Sequence, residues 1–216
     1  MLKKRYRLLI FDFDGTLVDT APDIERAANK VLGDRGFPAR GLDDVKTAIG
    51  KGVHELLRKL TAPRPLESGD LETATQEFKT YYRDHLLDHS RIYPGVVETL
   101  EGPLRGVKKA IVTNKPQDLT MRILEELRLT SFFERTIGTG AEFRAKPDPE
   151  AVRFVGDDLG IGADETILIG DSSVDCRTAQ NAGIDFAWVK YGYEDVLEAA
   201  AQWTFRRPSE WAELVV

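Results

Sequence analysis

Apolar positions along the chain follow two periods. Five runs are almost continuously apolar and too short for helices: RLLIFDF (7–13), VKKAIVTN (107–114), the weaker RTIGTG (135–140), TILIGD (166–171) and DFAWVK (185–190). A strand with one wet face alternates. Runs such as LLIF and ILIG do not, so they suit a parallel sheet covered on both faces. Between the later runs, apolar residues recur at helical spacing in QDLTMRILEELRL (117–129), PEAVRFVGDDLG (149–160) and SVDCRTAQNAG (173–183). Strands alternating with helices predict right-handed βαβ units in a doubly wound α/β sheet.

The alternation fails early. From the first strand to the one near 107 there is no convincing strand, only helical patterns at about 22–35, 42–48, 52–60 and 70–89. GFPARG (36–41) and TAPRPLESG (61–69) break them apart. No crossover needs that much helix. The expected organisation is a Rossmann-like α/β core of residues 1–15 and 91–216, with an all-helical domain of residues 16–90 inserted between hinges near Thr16–Asp19 and Ser90–Tyr93. Towards the C-terminus, Trp203 is placed near a last short strand and Trp211 on a final helix, both as packing residues. Leu197, Leu214 and Val215 are candidates for a dimer edge, so monomer and homodimer both stand.

Composition narrows the class. Of 216 residues, 42% are apolar and 31% charged, which fits a folded globular chain. Thirty basic against 36 acidic residues give −6, with no basic tract, which argues against nucleic acid as a partner. Cys176 is the only cysteine, so no intrachain disulfide forms and a reducing compartment is expected. The basic start MLKKRYR and the apolar run after it are too short and too soon interrupted, at Asp12, for a secretory signal. No stretch reaches ~18 apolar residues, so no membrane span is expected. The expected location is cytoplasmic.

In open α/β sheets, ligands bind beyond the carboxyl ends of the strands. The first strand ends on Asp12-Phe13-Asp14-Gly15-Thr16, and the strand near 107 on Thr113-Asn114-Lys115. The strand near 166 ends on Gly170-Asp171-Ser172-Ser173, with Asp175 just after, and Lys146 lies between these last two. Crowded carboxylates repel unless a cation sits among them. Oxygen donors without thiols suit Mg²⁺, which leaves positions for water and substrate phosphate. A lysine adds a second charge for phosphate. Residues two apart in an extended segment face the same way, so Asp12 and Asp14 both reach the site. One carboxylate can attack phosphorus while the other handles the proton.

These residues carry a resemblance. DFDGTLVDT (12–20) resembles the first motif of the haloacid dehalogenase superfamily, Thr113-Asn114 the second, Lys146 the third and GDSSVDCRTAQNAG (170–183) the fourth. All four occur in order across nearly the whole chain. The resemblance implies Asp12 as the nucleophile that forms an aspartyl-phosphate, and Asp14 as acid for the leaving group and then base for water. Thr113 and Lys146 would bind the phosphoryl group. Asp12, the backbone carbonyl of Asp14 and Asp171 would hold Mg²⁺, with Asp175 in support. N–H groups around Gly15 and Asn114 are expected to add an anion nest.

The resemblance also makes the helical insertion a cap that excludes water and chooses the substrate. Within IGKGV (49–53), Gly50 and Gly52 are expected to let the backbone approach the core, and Lys51 to read a second negative charge. IYPGVVETL, VTNKPQDLT, AKPDPE and VKYGYED resemble the phosphoglycolate phosphatase branch, which implies 2-phosphoglycolate, a small phosphorylated metabolite, as substrate. Pyrophosphatases, sugar-phosphate phosphatases and β-phosphoglucomutases share the motifs and remain alternatives, as does a non-catalytic binding module on the same fold. Dehalogenases generally lack the second aspartate, which is present here as Asp14. His85 and His89 have the i, i+4 spacing of a helical metal pair but no HExxH context, so they read as solvated. His54 and Asp19 read as structural, and Cys176 as a helix-face residue.

Overall fold

The computed structural model describes residues 5–62, 64–140, 142–194 and 200–215. In chain order the elements are β1 (Leu8–Phe11), β2 (Val18–Asp19), α1 (Ala21–Gly33), α2 (Leu42–Ala48), α3 (Val53–Leu60), α4 (Ser68–Asp84), β3 (Arg91–Ile92), α5 (Val96–Glu101), β4 (Lys108–Pro116), α6 (Gln117–Glu126), β5 (Arg135–Thr139), α7 (Glu150–Leu159), β6 (Thr166–Gly170), α8 (Ser173–Ala182), β7 (Asp185–Val189) and β8 (Trp203–Phe205).

Six of the strands form one parallel sheet in the order β5-β4-β1-β6-β7-β8. The continuous apolar runs have the expected cause. Leu9, Phe11, Ile111, Ile167 and Ile169 face one layer with α5, α6 and Trp211, while Leu8, Ile10, Ala110, Val112 and Leu168 face the other with α7 and α8. Every residue of β1 is buried because helices cover both faces. β1 lies mid-sheet between β4 and β6, where the strand order reverses, so the crevice beyond its carboxyl end is the place for a ligand.

Helices α1 to α4 pack pairwise on one another, α1 on α2 and α4, α3 on α2 and α4. Their apolar stripes, including Ile24, Ala28, Leu57, Leu60, Ala74 and Phe78, bury a common interior. Two chain segments join this bundle to the sheet, and they pair as a short antiparallel ribbon, Val18 with Ile92 and Asp19 with Arg91. Asp23 fastens the start of α1 to the returning chain. Its fully buried carboxylate accepts from the His89 and Ser90 N–H groups and from the Ser90 hydroxyl at 2.7–3.1 Å.

The structure corrects several details. The ribbon is missing from the sequence reading, because two residues per strand leave no periodic signal. So is α5, whose six residues are too few to show one. Helix α4 stops at Asp84 rather than near 89, so His85 and His89 are not helical neighbours. His85 stacks on Tyr81 and pairs with Asp88 at 2.8 Å, and His54 is exposed. Leu214 is fully buried in the core, on a 3₁₀ turn (Pro208–Leu214) that also seats Trp211 against Phe11, so it offers no dimer edge. Leu197 lies outside the described residues. Among the described residues, no helix is long and apolar enough to cross a membrane.

Candidate active site

The backbone of β1 stays in the sheet one residue past its end, with the Asp12 N–H donating to the Ile169 carbonyl at 2.9 Å. Asp12 and Asp14 then turn into the crevice while Phe13 between them is buried in the core. The Asp12 carboxylate accepts from the Phe13 N–H at 2.7 Å and meets Lys146 Nζ at 2.9 Å. Lys146 also donates to Asp175 at 2.5 Å. Burial opposes the lysine's charge, but Asp12 and Asp175 outweigh it and raise the Lys146 pKa.

Asn114 holds the Lys146 loop in place. Its Oδ1 accepts from the Lys146 N–H at 2.8 Å, and its Nδ2 donates to the Lys146 carbonyl at 2.9 Å and to the Gly50 carbonyl at 2.8 Å. Both amide hydrogens of Asn114 are therefore spent, and the side chain joins the second and third motifs and touches the helical segment. Thr113 lines the cleft beside it.

Carboxylate oxygens of Asp12, Asp171 and Asp175 lie within 4.8 Å of one another, all three residues buried. Asp171 accepts from the Tyr193 N–H at 2.7 Å. Asp175 closes a capping box at the start of α8, accepting from the Ser172 N–H and hydroxyl. It both caps the helix and holds Lys146, so the capping and functional readings coexist. Burial, then Asp175, pushes the Asp12 pKa up to about 6, with Lys146 and the Phe13 N–H pulling it back. Burial, Asp175 and Asp12 push Asp171 well above the carboxylate range. Three crowded carboxylates with unfavourable charge and only oxygen donors are a fit for a hard divalent cation.

Asp14 faces elsewhere. Its Oδ1 accepts from the Thr20 hydroxyl at 2.5 Å and from Lys115 Nζ at 3.0 Å. Its carboxylate is thus outside the triad, which leaves its backbone carbonyl for the metal role implied in the sequence. Lys115, assigned no role in the sequence reading, is 5% exposed and also donates to the Tyr82 hydroxyl of α4 at 2.9 Å. Burial opposes its charge, yet Asp14 and Tyr82 outweigh it and raise the Lys115 pKa. A signal existed: a lysine ending a strand as apolar as KKAIVTNKP needs a buried carboxylate partner.

One glycine and one lysine require correction. Gly15 is no anion nest, since its N–H donates to the Val18 carbonyl at 3.0 Å. It makes room instead: at φ +81°, a Cβ would lie 2.3 Å from Asp171 Oδ2. Lys51 is exposed and outside the cleft. Helix α2 ends at Ala48 and the chain then turns through Gly50 (φ +113°) and Gly52 (φ +83°). Those glycines face the cleft and Lys51 faces water. Lys46 of α2 lines the wall in its place, 5.9 Å from the Tyr193 ring centre. Tyr193 is the other residue missed. Its hydroxyl donates to Asp19 at 2.9 Å and accepts from the Thr20 and Ala21 N–H groups at 2.8 and 3.0 Å, capping α1 from across the crevice.

The cleft so formed has Ile49, Val53, Leu56 and Phe78 as its apolar wall opposite the carboxylates.

Residues 9–189 match the family described as Haloacid dehalogenase-like hydrolase. The phosphoglycolate phosphatase of Pseudomonas savastanoi is 37% identical over 191 residues, covering 87% of this chain and 70% of that one. That of Caulobacter vibrioides is 36% identical, covering 87% and 80%. A crystal structure of a predicted phosphoglycolate phosphatase from Haemophilus somnus superposes with a TM-score of 0.88 at 28% identity, covering 97% of each chain. With the match spanning the strands and the aspartate and lysine cluster alike, the chain belongs to the haloacid dehalogenase-like hydrolases, in the phosphoglycolate phosphatase-like branch of phosphoric monoester hydrolases.

Proposed function

We propose that this chain hydrolyses a small phosphate monoester, 2-phosphoglycolate in the first instance, through an aspartyl-phosphate on Asp12. One observation carries the reading: two aspartates two residues apart each meet their own buried lysine in one cleft, Asp12 with Lys146 at 2.9 Å and Asp14 with Lys115 at 3.0 Å. The pairing keeps the two carboxylates apart in orientation and lets them take different roles.

Lys146 holds Asp12 and offsets its charge as the carboxylate oxygen bonds to phosphorus. The ester oxygen leaves with a proton from Asp14. Water then attacks the aspartyl-phosphate, Asp14 takes its proton, and phosphate and free Asp12 result. The Thr113 hydroxyl, which lines the cleft, would donate to a phosphoryl oxygen. Asp12, Asp171 and the Asp14 carbonyl would hold Mg²⁺, with Asp175 behind them, and the ion offsets repulsion between the carboxylate and the phosphate when bound. Residues 16–90 serve as the cap that keeps bulk water from the intermediate, and Phe78 and Leu56 supply its dry face.

The test is phosphate release from 2-phosphoglycolate, pyrophosphate, hexose phosphates and an aryl phosphate, each with Mg²⁺ and with chelator, in wild type and Asp12→Asn. Metal-dependent release lost in Asp12→Asn is expected, with 2-phosphoglycolate preferred. Release of another ester alone moves the substrate, and activity retained by Asp12→Asn sinks the nucleophile.

A further inference from the structure

The Lys115 ammonium has three donors. Two are spent, on Asp14 and Tyr82, and both bonds fix its position. The third has no acceptor among the described residues, and Lys115 lines the cleft with 5% of its surface exposed. A buried lysine with one donor left over and an open cleft in front of it is placed to take an anion from the substrate.

Asp14 says which anion. Its Oδ1 is taken by Thr20 and Lys115, so Oδ2 is the oxygen presented to the leaving group. The ammonium thus stands beside the atom bonded to the ester oxygen. We infer that Lys115 reads a carboxylate on the carbon that bears the phosphate, and so is the residue that selects such an acidic leaving group over a neutral one. This rests on the proposed role of Asp14 at the leaving oxygen. A charge further along the substrate is beyond Lys115. It would fall nearer Lys46, which lines the cleft and has no carboxylate within 4 Å among the described residues. The apolar wall of Val53, Leu56 and Phe78 offers no charge to compete for the carboxylate.

The experiment compares esters with similar alkyl leaving groups, so that Asp14 acts equally on each. 2-Phosphoglycolate is set against 2-hydroxyethyl phosphate, which lacks the charge, and 3-phosphooxypropanoate, which carries it one carbon further. Wild type is expected to favour 2-phosphoglycolate over both in kcat/KM, on the order of 100-fold over the uncharged ester, as loss of a buried charge pair implies. Lys115→Met is expected to bring that ratio close to one, because it removes the reader. Tyr82→Phe, which keeps the ammonium, is expected to retain most of it. If Lys115→Met fails to fold, Lys115→Gln and the wild-type ratios still decide.

A flat wild-type ratio, or one unchanged in the Lys115 variants, overturns the inference while leaving a phosphatase. A preference for 3-phosphooxypropanoate overturns it in favour of Lys46. Equal losses on all esters in Lys115→Met reduce Lys115 to a positioning residue for Asp14 and overturn it too. No turnover of any ester with Mg²⁺, or turnover that survives Asp12→Asn, removes the phosphatase reading underneath.

Discussion

At the level of single residues, Asp12 is a burden to the metal-free protein. It is buried beside Asp175, and its pKa rises to about 6 in the folded state from the ordinary carboxylate value near 4. A raised folded pKa means the native state holds the proton better than the unfolded chain does. The stabilisation is complete below the unfolded pKa and is lost as pH rises through about 6. Asp12→Asn mimics the protonated form, so without metal it should be more stable than wild type at pH 7.5, on the order of 1–3 kcal/mol. That advantage should shrink as the pH falls towards ~4. Urea melts of both proteins in chelator at several pH values check this; a wild type at least as stable at pH 7.5 refutes it. Residue chemistry was the part most open to reading in advance. Asp12, Asp14, Thr113 and Asp171 sit at or just past strand ends, Lys146 in a loop and Asp175 in the first turn of α8, and the fold brings them to one crevice edge. Lys115 and Tyr193 were not legible as site residues. Their partners, Asp14 with Tyr82 and Asp171 with Asp19, lie far from them in sequence.

At the level of elements, the start of α1 depends on another part of the chain. Its N-cap, Thr20, makes no side-chain cap bond, its hydroxyl being spent on Asp14, and the Tyr193 hydroxyl accepts from two of the helix's first N–H groups instead. Tyr193→Phe should therefore destabilise the protein by about 1–2 kcal/mol, the usual cost of a lost cap. It should also speed amide exchange at Thr20 and Ala21 ahead of the rest of α1. Uniform exchange along α1 in the variant would show that the cap bond is not what holds this end. Helix and strand positions were mostly readable because their periods are long enough to repeat. Helix α4 ran short of its expected end because Asp23 captures the His89 and Ser90 N–H groups, a contact from across the bundle.

For the whole molecule, the triad makes stability conditional on a cation. Three buried carboxylates within 4.8 Å repel one another in the metal-free state and are relieved when Mg²⁺ binds. A ligand that binds only the folded state adds about 2.7 kcal/mol at one hundred times its Kd. In a chain of this size that is a rise in Tm of about 5–10 °C. Saturating Mg²⁺ should give such a rise in wild type and little or none in Asp171→Asn, by calorimetry against chelator; equal shifts would place the ion elsewhere. The sequence by itself determined the class of sheet, the order of the strands' polar ends and the oxygen-only chemistry, because local periodicity and residue type are properties of short stretches. Only the tertiary structure decided that Lys46 rather than Lys51 faces the cleft, that Gly15 yields space instead of N–H groups, and that Lys115 pairs with Asp14. Each of those depends on which way a side chain points after the chain has turned, through Gly50 and Gly52 in the first case. Such directions are set by contacts between segments many residues apart, to which no local pattern is sensitive.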